Sequence, residues 1–97
     1  MTAVDAVEVT LFGRPTCHLC EQAEAALTPL TERLGARLVH VNVEADPELD
    51  ARFGLAIPVV LVDGTEVTRA PIDVSAVRSA IVAAAARDTK DGRAASN

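Results

Sequence analysis

Between Val7 and Phe12 the chain alternates with a period of two: Val7, Val9 and Leu11 fall on one side, and Glu8, Thr10 and Phe12 on the other. That period predicts a short buried strand, ended by Gly13 and Pro15. The period then lengthens. Cys20, Ala23, Leu27, Leu30 and Leu34 recur at steps of three and four, one face of a helix over Cys17 to Leu34, with Thr16 as its expected N-cap and Gly35 as its stop. Pro29 brings no amide N–H for the Ala25 carbonyl, so a kink is expected there, or a restart with Thr28 as cap. Alternation returns over Arg37 to Val43, with Val39, Val41 and Val43 on one face and Leu38, His40 and Asn42 on the other. Asp46-Pro47 opens a short helix that Phe53 and Gly54 close. Val59 to Val62 is apolar throughout and reads as a buried strand. Asp63-Gly64 is a tight-turn signal, and Glu66 to Arg69 is the return strand. Asp73 caps a last helix, from Val74 to about Arg87, with Val74, Val77, Ile81 and Ala84 or Ala85 inward.

The order is strand, helix, strand, short helix, strand, hairpin strand, helix. A strand–helix–strand start implies a parallel right-handed crossover, and the hairpin adds an antiparallel pair. The prediction is an α/β fold: a four-stranded mixed sheet, βαβ then ββα, with helices on both faces. Residues 1–87 form one domain. Residues 88–97 are polar and small, without periodicity, and are expected to be a disordered tail.

A chain of 97 residues has room for one core and no second lobe. Its composition, 49% hydrophobic and 24% charged, is that of a globular domain. The formal net charge of -5, with basic residues scattered singly, argues against nucleic acid as a partner. Phe12 and Phe53 are the only aromatic residues, so there is no platform for stacking bases or sugars. No apolar run can span a bilayer. Met1 to Val9 carries Asp5 and Glu8 and no basic residue, which predicts no signal peptide and a cytoplasmic location.

The chemistry-bearing feature is Cys17-His18-Leu19-Cys20, the only cysteines in the chain, placed after the first strand at the start of the first helix. Residues three apart on a helix share a side, so the sulfurs can approach bonding distance. Cys17 falls where free amides and the helix dipole favour negative charge, and a thiolate is the charge that thiol–disulfide exchange requires. Its pKa is therefore expected below that of a free cysteine. Cys20 lies one turn in, on the apolar face. The residues thus assign Cys17 as the nucleophile and Cys20 as the resolving thiol. Other chemistries fit the same spacing. A zinc site wants four ligands, and only His18 and His40 remain to join the sulfurs. An iron–sulfur cluster shared between two chains, or two inert packing cysteines, are further readings. Redox chemistry is the reading the placement favours.

Leu11-Phe12-Gly13-Arg14-Pro15-Thr16-Cys17-His18-Leu19-Cys20-Glu21-Gln22-Ala23 resembles the start of the compact glutaredoxin-like family of small bacterial thioredoxin-fold proteins. Downstream, Ile57-Pro58-Val59-Val60 is similar to the cis-proline segment before the third strand of that superfamily. The resemblance covers about Val7 to Ala85. It implies a cis bond at Pro58 facing the cysteines, and a free Ile57 backbone that pairs with an extended substrate. It gives Arg14 a role in drawing a thiol's carboxylate or supporting the Cys17 thiolate; His18, when cationic, is expected from its charge to stabilise the thiolate beside it. Asp73 matches the acidic cap that contacts the glutathione amine. His18 and Leu19 stand where the usual glutaredoxin has Pro-Tyr, and Ala56-Ile57-Pro58 replaces Thr-Val-Pro. The Gly-Gly pair after the fourth strand is replaced within Thr68-Arg69-Ala70-Pro71-Ile72-Asp73.

The expected function is therefore a monomeric thiol–disulfide oxidoreductase acting on protein or small-molecule disulfides. It needs no metal and no organic cofactor, and a low-molecular-weight thiol such as glutathione or mycothiol serves as co-substrate. The alternative from another class is a binding module, or a carrier of a metal or iron–sulfur cluster, that uses the same cysteines without turnover.

Overall fold

The computed structural model describes residues 7–96, with side chains through residue 86. The signal-peptide reading of the first residues therefore lies largely outside the described part, as does Asn97. The elements are β1 (Glu8–Gly13), α1 (His18–Leu34), β2 (Arg37–Asn42), α2 (Pro47–Phe53), β3 (Val59–Val62), β4 (Thr65–Arg69) and α3 (Val74–Ser96). A single 3-10 turn, Val43–Ala45, joins β2 to α2. The sheet order is β2-β1-β3-β4. β2 runs parallel to β1, while β3 is antiparallel to both β1 and β4. The predicted mixed sheet of four strands is the observed one.

Strand periodicity becomes two cores. On one face, Val7, Val9, Leu11, Val60 and Val62 meet Ala23, Leu27 and Leu30 of α1 and Val77, Ile81 and Ala84 of α3. On the other, Phe12 and Val59 meet Val43 and Phe53, with Leu49, Ala56 and Ile57 packed around them. The Phe12 and Phe53 rings lie 4.8 Å apart, so both aromatic residues serve the smaller core. Helices thus cover both faces, as the alternation along β1 and β3 requires.

The turns follow their residues. Asp63 and Gly64 both take positive φ, 49° and 85°, the geometry of a two-residue hairpin whose twist matches the flanking strands. The Asp63 side chain accepts from the Glu8 amide at 2.9 Å, which ties that hairpin to the start of β1. Gly35 closes α1 at φ 75°. Asp46 and Asp73 cap α2 and α3, accepting from the amides of Glu48 and Ala76.

Three expectations are corrected. The cap of α1 is Cys17 and not Thr16: a turn closed by the Cys17 amide on the Arg14 carbonyl leaves Cys17 extended at the helix start, where its sulfur accepts from the Cys20 amide. α1 does not restart at Pro29 but runs through it. There Thr31 is buried, and its hydroxyl donates back to the carbonyls of Leu27 and Thr28, while the Thr28 hydroxyl donates to that of Glu24. Finally, α3 continues past Arg87 to Ser96. The segment expected as an aperiodic tail holds no proline and continues a run of four alanines, Ala83 to Ala86, so it can extend a helix without an apolar stripe. Among the described residues, no helix is long and apolar enough to cross a membrane.

Candidate functional site

The two cysteines meet at the junction of β1 and α1. They are joined as a disulfide, with Cα atoms 5.2 Å apart. Their settings differ in the way the sequence predicts. Cys17 is half-buried at the cap position, whereas Cys20 is on the inner face of α1 with 7% of its surface exposed. The Cys20 amide donates to Cys17 Sγ at 3.1 Å, and the Glu21 amide donates to the Cys17 carbonyl at 3.1 Å. The sulfur of Cys17 therefore occupies the place of a capping oxygen, where amide donors stabilise negative charge. His18 is exposed beside it, with Nδ1 3.9 Å from Glu21 Oε1 and Nε2 3.1 Å from the Gln22 amide nitrogen.

Gly13 is the residue that sequence reasoning treated only as a strand end. A Cβ there would stand 2.9 Å from Cys20 Sγ and 3.0 Å from Cys20 Cβ, closer than side chains tolerate. The end of β1 thus approaches the inner sulfur so closely that only glycine fits. The signal was present in the sequence as a buried-strand glycine just upstream of a cysteine pair.

Two hollows lie on either side of the first turns of α1, one reached by Leu19 of the Cys-His-Leu-Cys segment and one by Cys20 itself. One, of about 230 Å³, runs between α1 and the β4–α3 connection and is lined by Leu19, Ala23, Pro58, Pro71, Ile72 and Val74, with Gln22 at its side. The other, of about 320 Å³, lies toward the β2 edge, where Cys20, Leu11 and Val41 meet Arg14, Glu21, Glu24 and His40. His40, given no role by the sequence, sits there on the edge strand with Nε2 3.5 Å from Glu24 Oε2.

The other predicted site residues are not all gathered at the sulfurs. Pro58 is fully buried and shares the first hollow with Leu19, and its peptide bond to Ile57 is cis. The Ala70–Pro71 bond, for which the sequence reading made no provision, is also cis. Ile57 itself packs against the smaller core. Asp73 caps α3, and its own amide donates to the Thr68 hydroxyl. Arg14 turns toward α2. Its Nη2 donates to Asp50 Oδ1 and to the Gly54 carbonyl, both at 3.0 Å, and its Nη1 lies 3.5 Å from Glu44. Its Nε is buried without a hydrogen-bond partner. Arg14 is thus a tie between the disulfide loop and α2. Among the described residues, no group of three or more His, Cys, Asp or Glu side chains is arranged to hold a metal ion.

The family described as Glutaredoxin-like domain (DUF836) matches residues 8–84. Among curated relatives, the uncharacterized protein Rv0508 of Mycobacterium tuberculosis (strain H37Rv) is 32% identical over 79 residues, which is 76% of this chain and 81% of that protein. Among solved structures, a structural-genomics target from X. campestris is 36% identical, with a TM-score of 0.63 over 77% of this chain and 96% of that one. A mutant thioredoxin from Halobacterium salinarum has a TM-score of 0.65 at 20% identity, covering 86% of this chain and 78% of its own, a likeness of fold.

Proposed function

This chain belongs to the glutaredoxin-like domain (DUF836) family, and from that premise we propose that it is a thiol–disulfide oxidoreductase that turns over through Cys17 and Cys20. The observation that carries the reading is the position of Cys17 Sγ: it caps α1, accepts from the Cys20 amide, and is bonded to the sulfur one turn below. In the dithiol form, the Cys17 thiolate gains the same amide donor and the dipole of a 17-residue helix. It attacks a substrate disulfide, releases one half as a thiol, and leaves a mixed disulfide on Cys17. Cys20, buried and held in register by the helix, then attacks Cys17 Sγ and expels the second half. The protein disulfide that results is the state seen here. Two electrons pass from the dithiol to the substrate, which takes up two protons. Pro58 shapes the approach from the α3 side, and Ile57 before it packs on the α2 side and contributes through its backbone.

The Cys20→Ser variant tests the order of events. It should accumulate mixed disulfides with protein or small-molecule disulfides through Cys17, and its iodoacetamide reactivity should titrate below that of a free cysteine. Cys17→Ser should abolish turnover. Full activity in Cys17→Ser, or titration of Cys17 at or above the free-cysteine value, would overturn the reading.

A further inference from the structure

The charges around the disulfide are arranged against anions. Six arginines have described side chains, and each is either committed or displaced from the sulfurs. Arg14, the only one in the disulfide loop, lines the hollow beside Cys20, but its charge is shared by Asp50, Glu44 and the Gly54 carbonyl. Arg37 pairs with Glu8 at the far end of β1. Arg69 is held by both oxygens of Glu66, whose carboxyl its guanidinium draws below the ordinary range. Arg52 stacks on Phe53, with its guanidinium carbon 4.8 Å from the ring centroid. Arg33 stands in the last turn of α1, about 24 Å along the axis from Cys17. Arg78, on the second turn of α3, lines neither hollow.

The carboxylates are disposed the other way. Glu21 follows Cys17 by one turn on the same side of α1, its amide bonded to the Cys17 carbonyl, and it neighbours His18, the remaining group there able to carry positive charge. Glu24 follows on the same helix. The N-terminus of α3, the other source of free amides near the groove, is already occupied by its own Asp73. The groove lined by Leu19, Pro58, Ile72 and Val74 has no charged side chain among the described residues.

We propose that this site selects its thiol and disulfide partners by charge: it accepts those that are uncharged or cationic beside the reacting sulfur and turns away those that carry a carboxylate there. This rests on the exchange reading above. A carboxylate entering beside Cys17 would meet Glu21, and among the described side chains the one guanidinium beside the disulfide, that of Arg14, is already shared by Asp50, Glu44 and the Gly54 carbonyl, whereas an apolar stem loses nothing in the groove. The small thiol served by this site is thus one without carboxylates near its sulfur, and its protein partners present a cysteine in an apolar or basic segment.

The test is reduction of the oxidised protein by cysteamine, 2-mercaptoethanol and thioglycolate, each rate divided by that of the same thiol with the uncharged 2-hydroxyethyl disulfide, which cancels differences in thiolate fraction and nucleophilicity. A thiolate attacks Cys17 Sγ and Cys20 leaves as a thiolate that takes a proton from solvent. A second thiol then releases Cys17, so that two thiols become one disulfide as the protein gains two electrons and two protons. The expected order is cysteamine, 2-mercaptoethanol, thioglycolate, with the ends separated by about fivefold or more at low ionic strength. The separation should shrink in about 0.5 M salt, with the thioglycolate rate rising. Glu21→Gln, an exposed change, should narrow it about twofold or more. Equal rates, or a preference for thioglycolate, would overturn charge selection and leave the exchange reading standing. Failure to exchange with any of the three would overturn the exchange reading, and charge selection with it.

Discussion

Gly13 and Arg14 are adjacent, and their substitutions should behave in opposite ways. At Gly13 even a methyl group would crowd Cys20 Sγ, and the contact is with the fixed end of a short side chain that has no room to retreat. Gly13→Ala should therefore lower stability by about 1–3 kcal/mol, the usual cost of overpacking a filled site. It should also slow closure of the Cys17–Cys20 disulfide, as urea unfolding and the rate of reoxidation would register. Arg14→Gln should do much less. Its ion pairs are partly exposed, 29% on the arginine side against 46% at Asp50, and exposed pairs are worth little. Removing it also removes a buried Nε that has no partner. The expected loss is under about 1 kcal/mol, with the alkylation rate of Cys17 in a Cys20→Ser background unchanged. A large fall in that rate would restore to Arg14 the thiolate-supporting role that the family resemblance assigns. The sequence supplied both residues but not this distinction, because the carboxylates that claim Arg14 come from a segment some 30 residues or more downstream.

At the scale of the element, the helix that holds the chemistry is capped by its own reactive atom. Serine is a better N-cap than cysteine or alanine. In the reduced protein, Cys17→Ser should therefore fold at least as stably as the parent while losing turnover, and Cys17→Ala should be less stable than Cys17→Ser by about 1 kcal/mol. Equal stability of the two variants would show that the sulfur's contact with the Cys20 amide contributes nothing as a cap. The same helix carries a local conflict. Pro29 lies well inside it, where its ring cannot donate to the Ala25 carbonyl. Leu27, Leu30 and Thr31 on either side of it are buried, so the packing of the whole stripe outweighs the local preference to stop. Pro29→Ala should raise stability by about 1–3 kcal/mol, measured by the urea midpoint at unchanged m-value. Of the kink or restart expected from sequence, the restart does not occur for that reason: a proline penalty is local, and the burial that overrides it is summed over several turns.

For the molecule as a whole, stability rests on the larger core, where Leu27 is fully enclosed between the sheet and α3. Leu27→Ala should cost about 2–5 kcal/mol, against less than about 0.5 kcal/mol for Val82→Ala on the half-exposed face of α3, as paired unfolding curves would show. Much of this architecture was legible beforehand. Strand and helix periods, the Asp46 and Asp73 caps, the Gly35 stop and the Asp63-Gly64 hairpin depend on residues a few positions apart, and local sterics and hydrogen bonding decide them. The disulfide partners were legible for the same reason, since Cys17 and Cys20 are one helical turn apart. Tertiary structure alone decided the strand order β2-β1-β3-β4 and which helices cover each face, α1 and α3 over Leu11 and α2 over Phe12. It alone set the commitment of Arg14 to α2 and the closeness of Gly13 to Cys20 Sγ. Each of these depends on which surfaces meet after the chain has closed long loops, and residues far apart in sequence leave no short-range trace of that meeting.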